Sequence, residues 1–274
     1  MDLVGKSSVW VRLLIPIASI LGLLVLWGVV VQVFQIPKFI LPDPISAFQA
    51  IAEDWPAIST GIAVTSQEFV LGFAIGAALG FLLAVVMAQS TWVFRILYPV
   101  LIVSQAIPVV AIGSALVIWL GFGLAPKLVI VALIVFFPVL VNVIDGLGSV
   151  DKESINLARA MGASRWRTFL LVRLPATYTP LFSALKMSAT FSVTGAVLAE
   201  SLASTTGGLG VYLSTQQGRF NTPGVFAAII VLAAIGLTAF LLISAWEQAA
   251  TPWRRTSIVP RSRRYRPIDL PVRK

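Results

Sequence analysis

The sequence has no cysteine and no histidine among its 274 residues. Their absence removes Cys and His metal sites, Ser-His-Asp triads and thiolate nucleophiles. It also leaves no disulfide framework from which to read a redox compartment. Charge is scarce as well: 11% of residues are Asp, Glu, Lys or Arg, against about 25% in an average globular chain. A phosphate-binding loop is missing too. The one GK pair, in Gly5-Lys6-Ser7, lacks the glycine five residues upstream and the strand that such a loop requires. No ATP site is therefore expected on this chain.

What the chain has instead is apolar surface. It is 58% hydrophobic, with mean hydropathy +0.95. A soluble fold cannot enclose that much, so lipid is expected to be the solvent for much of it. The net charge of +9 lies at the flanks of apolar runs, as topology signals do, and not in a nucleic-acid patch.

The charged residues mark out the spans. Leu13–Phe34 is a charge-free stretch of 22 residues with no small-residue cleavage site after it, so it reads as a retained first helix. Gly61–Ala88 is the second span, with Glu68 inside it. Ile96–Leu120 is the third, Leu128–Ile144 the fourth and Phe220–Trp246 the sixth. The fifth is short: only Met187–Ala199 is free of charge, between Lys186 and Glu200. A helix needs about 20 residues to cross. Lys186, Glu200 or both are therefore expected at or just inside the hydrocarbon boundary, where Lys186 can snorkel toward the headgroups. Pro108 and Pro138 are expected to kink the third and fourth helices.

Six helices put both termini on one face. That face then carries Lys6, Arg12, Arg95, five basic residues of the 148–178 loop and eight of the tail, against Lys38, Lys127 and Arg219 on the other. Positive charge is retained inside, so the termini and the loop are expected in the cytoplasm of a bacterial inner membrane. Three segments follow: 1–60 with the first helix and an external stretch, 61–250 as a core of five further spans with the 148–178 loop, and 251–274 as a basic cytoplasmic tail.

The 148–178 loop is polar, basic and helix-prone. Gly162 follows Ile155–Met161 where a left-handed helix end favours glycine. Ser164 is placed to cap a second helix, with Trp166, Phe169, Leu170 and Val172 on its apolar side and Pro175 closing it. A helix–glycine–helix of this kind fits a groove on a partner.

The stretch Asn156-Leu157-Ala158-Arg159-Ala160-Met161-Gly162, then nine residues, then Val172-Arg173-Leu174-Pro175 resembles the EAA loop of ABC importer permeases. Ala158, Gly162, Leu174 and Pro175 match in register; Asn156 and Leu157 depart from the Glu-Ala start. Ile40-Leu41-Pro42-Asp43-Pro44, Gly121-Phe122-Gly123 before Pro126-Lys127, and Gly195–Glu200 with Gly207-Gly208-Leu209-Gly210 resemble the nitrate/sulfonate/taurine branch. Val225–Ile229 and Asp145-Gly146 resemble its pyrimidine thiamine-precursor and riboflavin members. The resemblance implies an all-α, polytopic fold of the type I importer permease kind with six transmembrane helices. It also implies a second permease copy (a homodimer), two cytoplasmic ATPases that hold ATP and Mg, an external binding protein, and alternating access. The residues it marks for coupling are Asn156, Ala158, Gly162, Ala163, Leu174 and Pro175.

Other positions are read from their chemistry. Gly72, Gly76 and Gly80 share one helix face, where small residues allow close approach within the chain or at a dimer seam. Glu68 and Glu200 are ionisable groups within or beside hydrocarbon, hence functional or internally satisfied. Ser104, Gln105, Asn142, Thr190, Ser192, Thr194 and Glu200 are candidates for the translocation pathway, since lipid-facing polar groups are costly. The alternative class is a stand-alone ion-coupled secondary transporter; it would rely on Glu68 and Glu200, and no internal repeat supports it. An intramembrane enzyme finds no motif here.

Overall fold

The structure is a computed structural model that describes residues 9–203 and 207–252, with the side chains of residues 9–13 and 16 outside the description. Most of the basic tail, the N-terminal Lys6 and the side chain of Arg12 therefore lie outside the described residues. All described elements are helical. In chain order they are α1 (Val9–Val33), α2 (Pro44–Glu53), α3 (Trp55–Gln89), α4 (Thr91–Ser104), α5 (Val109–Leu120), α6 (Leu124–Gly148), α7 (Lys152–Ala160), α8 (Arg165–Thr168), a π-helical turn (Phe169–Arg173), α9 (Leu174–Ala176), α10 (Tyr178–Ala203), α11 (Leu209–Gly218) and α12 (Thr222–Ala250).

Four of these, α3, α6, α10 and α12, are long and apolar enough to cross a membrane, and a fifth span exists if α4 and α5 count as one. That pair corrects the sequence reading of Ile96–Leu120 as a single helix, because α4 and α5 meet at 97°. The cause is Pro108. It has no N–H to give to a helix and it disfavours helical geometry in the residue before it. Gln105–Ile107 turn instead, and Pro108 becomes the N-cap of α5 with extended ψ of 127°. Pro138 does not break α6, which runs on past Asp145 to Gly148.

The other spans are longer than their charge-free stretches. The 35-residue α3 begins at Trp55 and carries Glu68 within it. Helix α10 begins at Tyr178, so Lys186 and Glu200 are both helical. Helix α12 includes Glu247. Helix α2 follows the Pro42-Asp43-Pro44 turn. Asp43 accepts from Ser46 N–H at 3.2 Å, and Pro44 occupies the first turn, where its missing donor is no loss.

Helix α6 is the centre of the bundle, packed on α3 and α10. Its Val131, Val135, Val139, Leu140, Val143 and Leu147 are buried in the main core with Phe69, Ala84, Ala189 and Ala196. Small residues line the inner faces, and large ones such as Leu79, Leu82, Leu241 and Leu242 point outward. This inverts the pattern of a soluble protein, because lipid outside is as apolar as leucine and interior stability comes from close packing. Helix α1 is the outlier, exposed over most of its described length, with Val31 near its end buried. It touches the bundle through Trp27, whose ring lies 5.4 Å from that of Phe226.

Gly72, Gly76 and Gly80 lie against α6 within the chain. A Cβ added at Gly76 would overlap the carbonyl oxygen of Ala132 and come 2.9 Å from the Ala132 Cα and the Val135 Cβ. At Gly80 it would lie 2.6 Å from the Phe136 carbonyl oxygen. Backbone cannot yield as a side-chain end can. We expect Gly76→Ala to lower the thermal midpoint in detergent by several degrees, from an overpacking penalty of about 1–3 kcal/mol. Gly22→Ala, with nothing within 4 Å of the added carbon, should leave it unchanged; equal melting of the two variants would refute the close-packing account.

Candidate functional site

The loop between α6 and α10 is built by local signals. Asp151 caps α7 by accepting from Ser154 N–H at 2.5 Å, and that bond holds its carboxyl below the usual range. Glu153 in the first turn and Arg159 in the last complement the helix dipole. At the other end Gly162 has φ of +87°. Gly162 N–H donates to Arg159 O at 2.9 Å and Ala163 N–H to Ala158 O at 3.0 Å. That pair of bonds defines a Schellman ending, which needs a left-handed residue where glycine stands. Ala158 and Ala163 thus hold the reversal through their backbones. Ser164 then caps the next helix, accepting from Arg167 N–H at 3.3 Å.

The second arm differs from expectation. It is not one helix closed by Pro175. After the single turn of α8 the chain widens into a π-helical turn, with Leu174 N–H reaching back to Phe169 O. Pro175 then lies in the first turn of α9, where no donor is required of it. Phe169 is buried in the main core, and Trp166 stacks on it at 5.5 Å. Arg173 turns back, donating from Nε and Nη2 to Leu147 O at 3.2 and 3.1 Å. The outer surface of the loop is apolar at its tips: Leu157, Met161, Trp166 and Leu171 are 60–80% exposed. Asn156 and Pro175 are exposed as well, and Leu174 is half-buried.

The opposite end of the bundle carries a buried polar latch. Glu200 is 1% exposed. Its carboxylate accepts from Thr65 Oγ1 at 2.5 Å, Gly210 N–H at 2.6 Å and Val211 N–H at 3.3 Å. Thr65 Oγ1 in turn accepts from Leu209 N–H at 2.9 Å. The open N-terminus of α11 is thereby satisfied by an anion, which its dipole favours. A Cβ at Gly208 would overlap this carboxylate, and one at Gly210 would lie 3.0 Å from its Oε2. That explains why Glu200 occurs with Gly208-Leu209-Gly210. Beside the latch Asp54 accepts from Tyr212 Oη at 2.7 Å and Gln216 Nε2 at 3.1 Å. Burial and the Asp54 carboxylate push the Tyr212 phenol above its ordinary range, so it donates as a neutral hydroxyl.

Two further pairs of charges within the spans meet each other, while Asp145 of α6 and Arg95 of α4 are exposed. Lys127 Nζ lies 2.5 Å from Glu68 Oε1, both fully enclosed. Lys186 does not snorkel; it meets Glu247 of α12 at 2.7 Å. Of the pathway candidates, Thr190 and Thr194 open onto a cleft of about 530 Å³ between α10 and α12, walled by Leu232, Leu237 and Phe240. Ser104 and Asn142 bond to the backbone of their own helices, at Leu101 O and Pro138 O. Gln105 is exposed at the α4–α5 corner, while Ser192 is buried and turned back to Ser188 O. The sequence reading overlooked Thr65 and Glu247, and it counted Arg173 only as a basic charge. Thr65 has no signal in the sequence; Glu247 had one, as an acid just beyond the last span.

A bundle of long apolar helices with one polar helical loop at its end is a multi-pass membrane protein. Residues 72–251 match the profile of the binding-protein-dependent transport system inner membrane component family, and the chain belongs to that family. It is similar to the riboflavin transport system permease protein of Chloroflexus aurantiacus, 34% identical over 89% of this chain and 91% of that one. It is likewise similar to the formylaminopyrimidine transport permease protein of Halalkalibacterium halodurans, 32% identical over 88% and 96%. The taurine transport system permease protein of Escherichia coli is 26% identical over 87% and 89%. Among solved structures, an amino acid ABC transporter crystallised with histidines shares the fold, with a TM-score of 0.59 and 18% identity over 74% of this chain and 98% of that one. The chain is thus an ABC-importer permease of the nitrate/sulfonate/taurine-like branch that includes riboflavin- and thiamine-precursor-related members. It is the membrane component that moves a small organic solute delivered by a binding protein. None of these findings favours a stand-alone secondary transporter.

The Glu68–Lys127 pair allows a sharp test. Lys127→Met leaves a buried carboxylate without its cation and should destabilise by about 3–5 kcal/mol. Adding Glu68→Met should recover most of that loss in detergent unfolding. A double variant as unstable as the single one would mean that the pair is not what holds these helices.

Proposed function

We propose that the 148–178 loop docks a cytoplasmic ATPase, with α7 and the Gly162 reversal inserted into it. The single observation that carries this reading is the exposed apolar ledge of Leu157, Met161, Trp166 and Leu171 on an otherwise basic, polar loop. Exposed apolar residues on a charged segment suit a protein groove better than water or lipid. The working assembly is then two copies of this chain, two ATPases that hold ATP and Mg, and an external binding protein. Six spans, with α1 as the first and the bent α4–α5 pair as the third, put both termini and the loop in the cytoplasm. Residues 1–60 add an outer helix to the permease core of 61–250, and the basic 251–274 segment is a cytoplasmic tail.

The solute we favour is uncharged and flat, as in the riboflavin and formylaminopyrimidine relatives. The buried charges within the described spans, Glu68, Lys127, Glu200 and Glu247, are engaged by one another, by Lys186 or by buried donors. The cleft below Thr190 and Thr194 offers hydroxyls and apolar walls but no free cation for a sulfonate or nitrate. Ser104, Gln105 and Asn142 contribute further polar groups to the path.

Affinity purification of the tagged chain from its native membrane, with mass spectrometry of what accompanies it, tests the dock. An ATPase is expected in equal amount. Gly162→Arg, which forces a side chain into a left-handed position, should insert normally yet lose both the ATPase and solute uptake. A chain that purifies alone and transports alone would sink the reading.

A further inference from the structure

The loop is attached to the bundle by two unlike kinds of contact. One is packing: Phe169 is buried among the core residues of α6 and α10, Leu174 packs against them, and Thr177 lies against Gly146 of α6. Packing of this sort is non-directional and tolerates sliding. The other is Arg173, the last residue of the π-helical turn. It presents two donors to one main-chain carbonyl, that of Leu147, at 3.2 and 3.1 Å. Leu147 lies in the last turn of α6, where carbonyls have no helical partner and the dipole favours a cation. The bond spans 26 residues and so closes the loop into a ring where it leaves the bundle.

A cavity of about 570 Å³ lies beside this bond, lined by Met87, Thr91, Phe94, Asp145, Leu147 and Arg173. On that side the loop is not packed against the α3–α4 corner. Register between loop and α6 is therefore held on the cavity side by a directional hydrogen bond, while Thr177 and Pro180 pack on Gly146 further along. Helix α6 is also the element on which both α3 and α10 rest, so a shift of its end reaches most of the bundle.

We propose that Arg173 is the positioning residue that ties the loop to α6. A displacement imposed on the loop by nucleotide binding is then delivered to α6 and is not absorbed within the loop. This rests on the reading of the loop as the ATPase dock. Arg173→Met keeps the apolar stem and removes the donors; Arg173→Lys keeps the charge and a single donor site.

The test is hydrogen exchange of the purified permease–ATPase complex with and without MgATP and vanadate. In the wild-type complex the nucleotide should change exchange in the loop, residues 152–176, and in the last turn of α6. In Arg173→Met the loop response should persist and the α6 response should be lost, with Arg173→Lys intermediate. A purely structural role would alter exchange equally in both nucleotide states. An α6 response that survives in Arg173→Met, or is absent from the wild type, overturns the proposal. Loss of the loop response in Arg173→Met also overturns it, because Arg173 would then belong to the ATPase contact. A wild-type chain that holds no ATPase overturns the dock itself, and the proposal with it. Where Arg173→Met does not assemble, Arg173→Lys carries the comparison, and an α6 response equal to wild type counts against the tether.

Discussion

The structure depends on how closely α3 can approach α6. In lipid, no hydrophobic force draws two apolar helices together; only close packing does. Gly72, Gly76 and Gly80 permit that approach, because nothing at those positions stands between one backbone and the other. Once α3 and α6 are in contact, Glu68 and Lys127 are brought within 2.5 Å and enclosed. Thr65 is carried along on the same helix to the point where Glu200 of α10 and the start of α11 meet it. A polar arrangement at one end of the bundle is thus a consequence of a steric one in its middle.

Every charge that enters the bundle must then be satisfied by protein, since lipid offers no hydrogen bonds. The structure does this in three ways. Glu68 has a lysine on the neighbouring helix, Lys186 has a glutamate on α12, and Glu200 has the N-terminus of α11. The third is the least expected from sequence, yet it accounts for two glycines at once. Gly208 and Gly210 are where the carboxylate would otherwise meet a side chain.

Much of this was legible in the residues, for identifiable reasons. Apolar length gave the spans, because the bilayer thickness is an external ruler. Gly162 and Ser164 were legible because capping is local: a positive φ and a hydroxyl acceptor are decided within four residues. The glycine face was visible, but its partner was not, since periodicity names a face and never what it touches. The α4–α5 corner was missed because charge alone marked out Ile96–Leu120, and Pro108 was read as a kink and not as a break. Charge counting likewise put Lys186 at the boundary. Only the tertiary position of α12 brings Glu247 beside it, and no local pattern encodes that.

The remaining step concerns how the two ends are connected. Helix α10 starts three residues after Pro175 and ends three residues after Glu200. It is a continuous rod of 26 residues, or about 40 Å at the rise of an α-helix. At one end it emerges from the loop; at the other its carboxylate grips the first turn of α11. The same rod carries Thr190 and Thr194 on an open face midway. A rigid element fixed at both ends cannot move at one without moving at the other, which is the physical requirement for coupling across a bundle. Helix α6, held to the loop through Arg173 and packed along α10, runs antiparallel beside it. The pair therefore resists bending more than either helix alone. A load at the loop end is therefore better met by a tilt of both helices than by a local distortion.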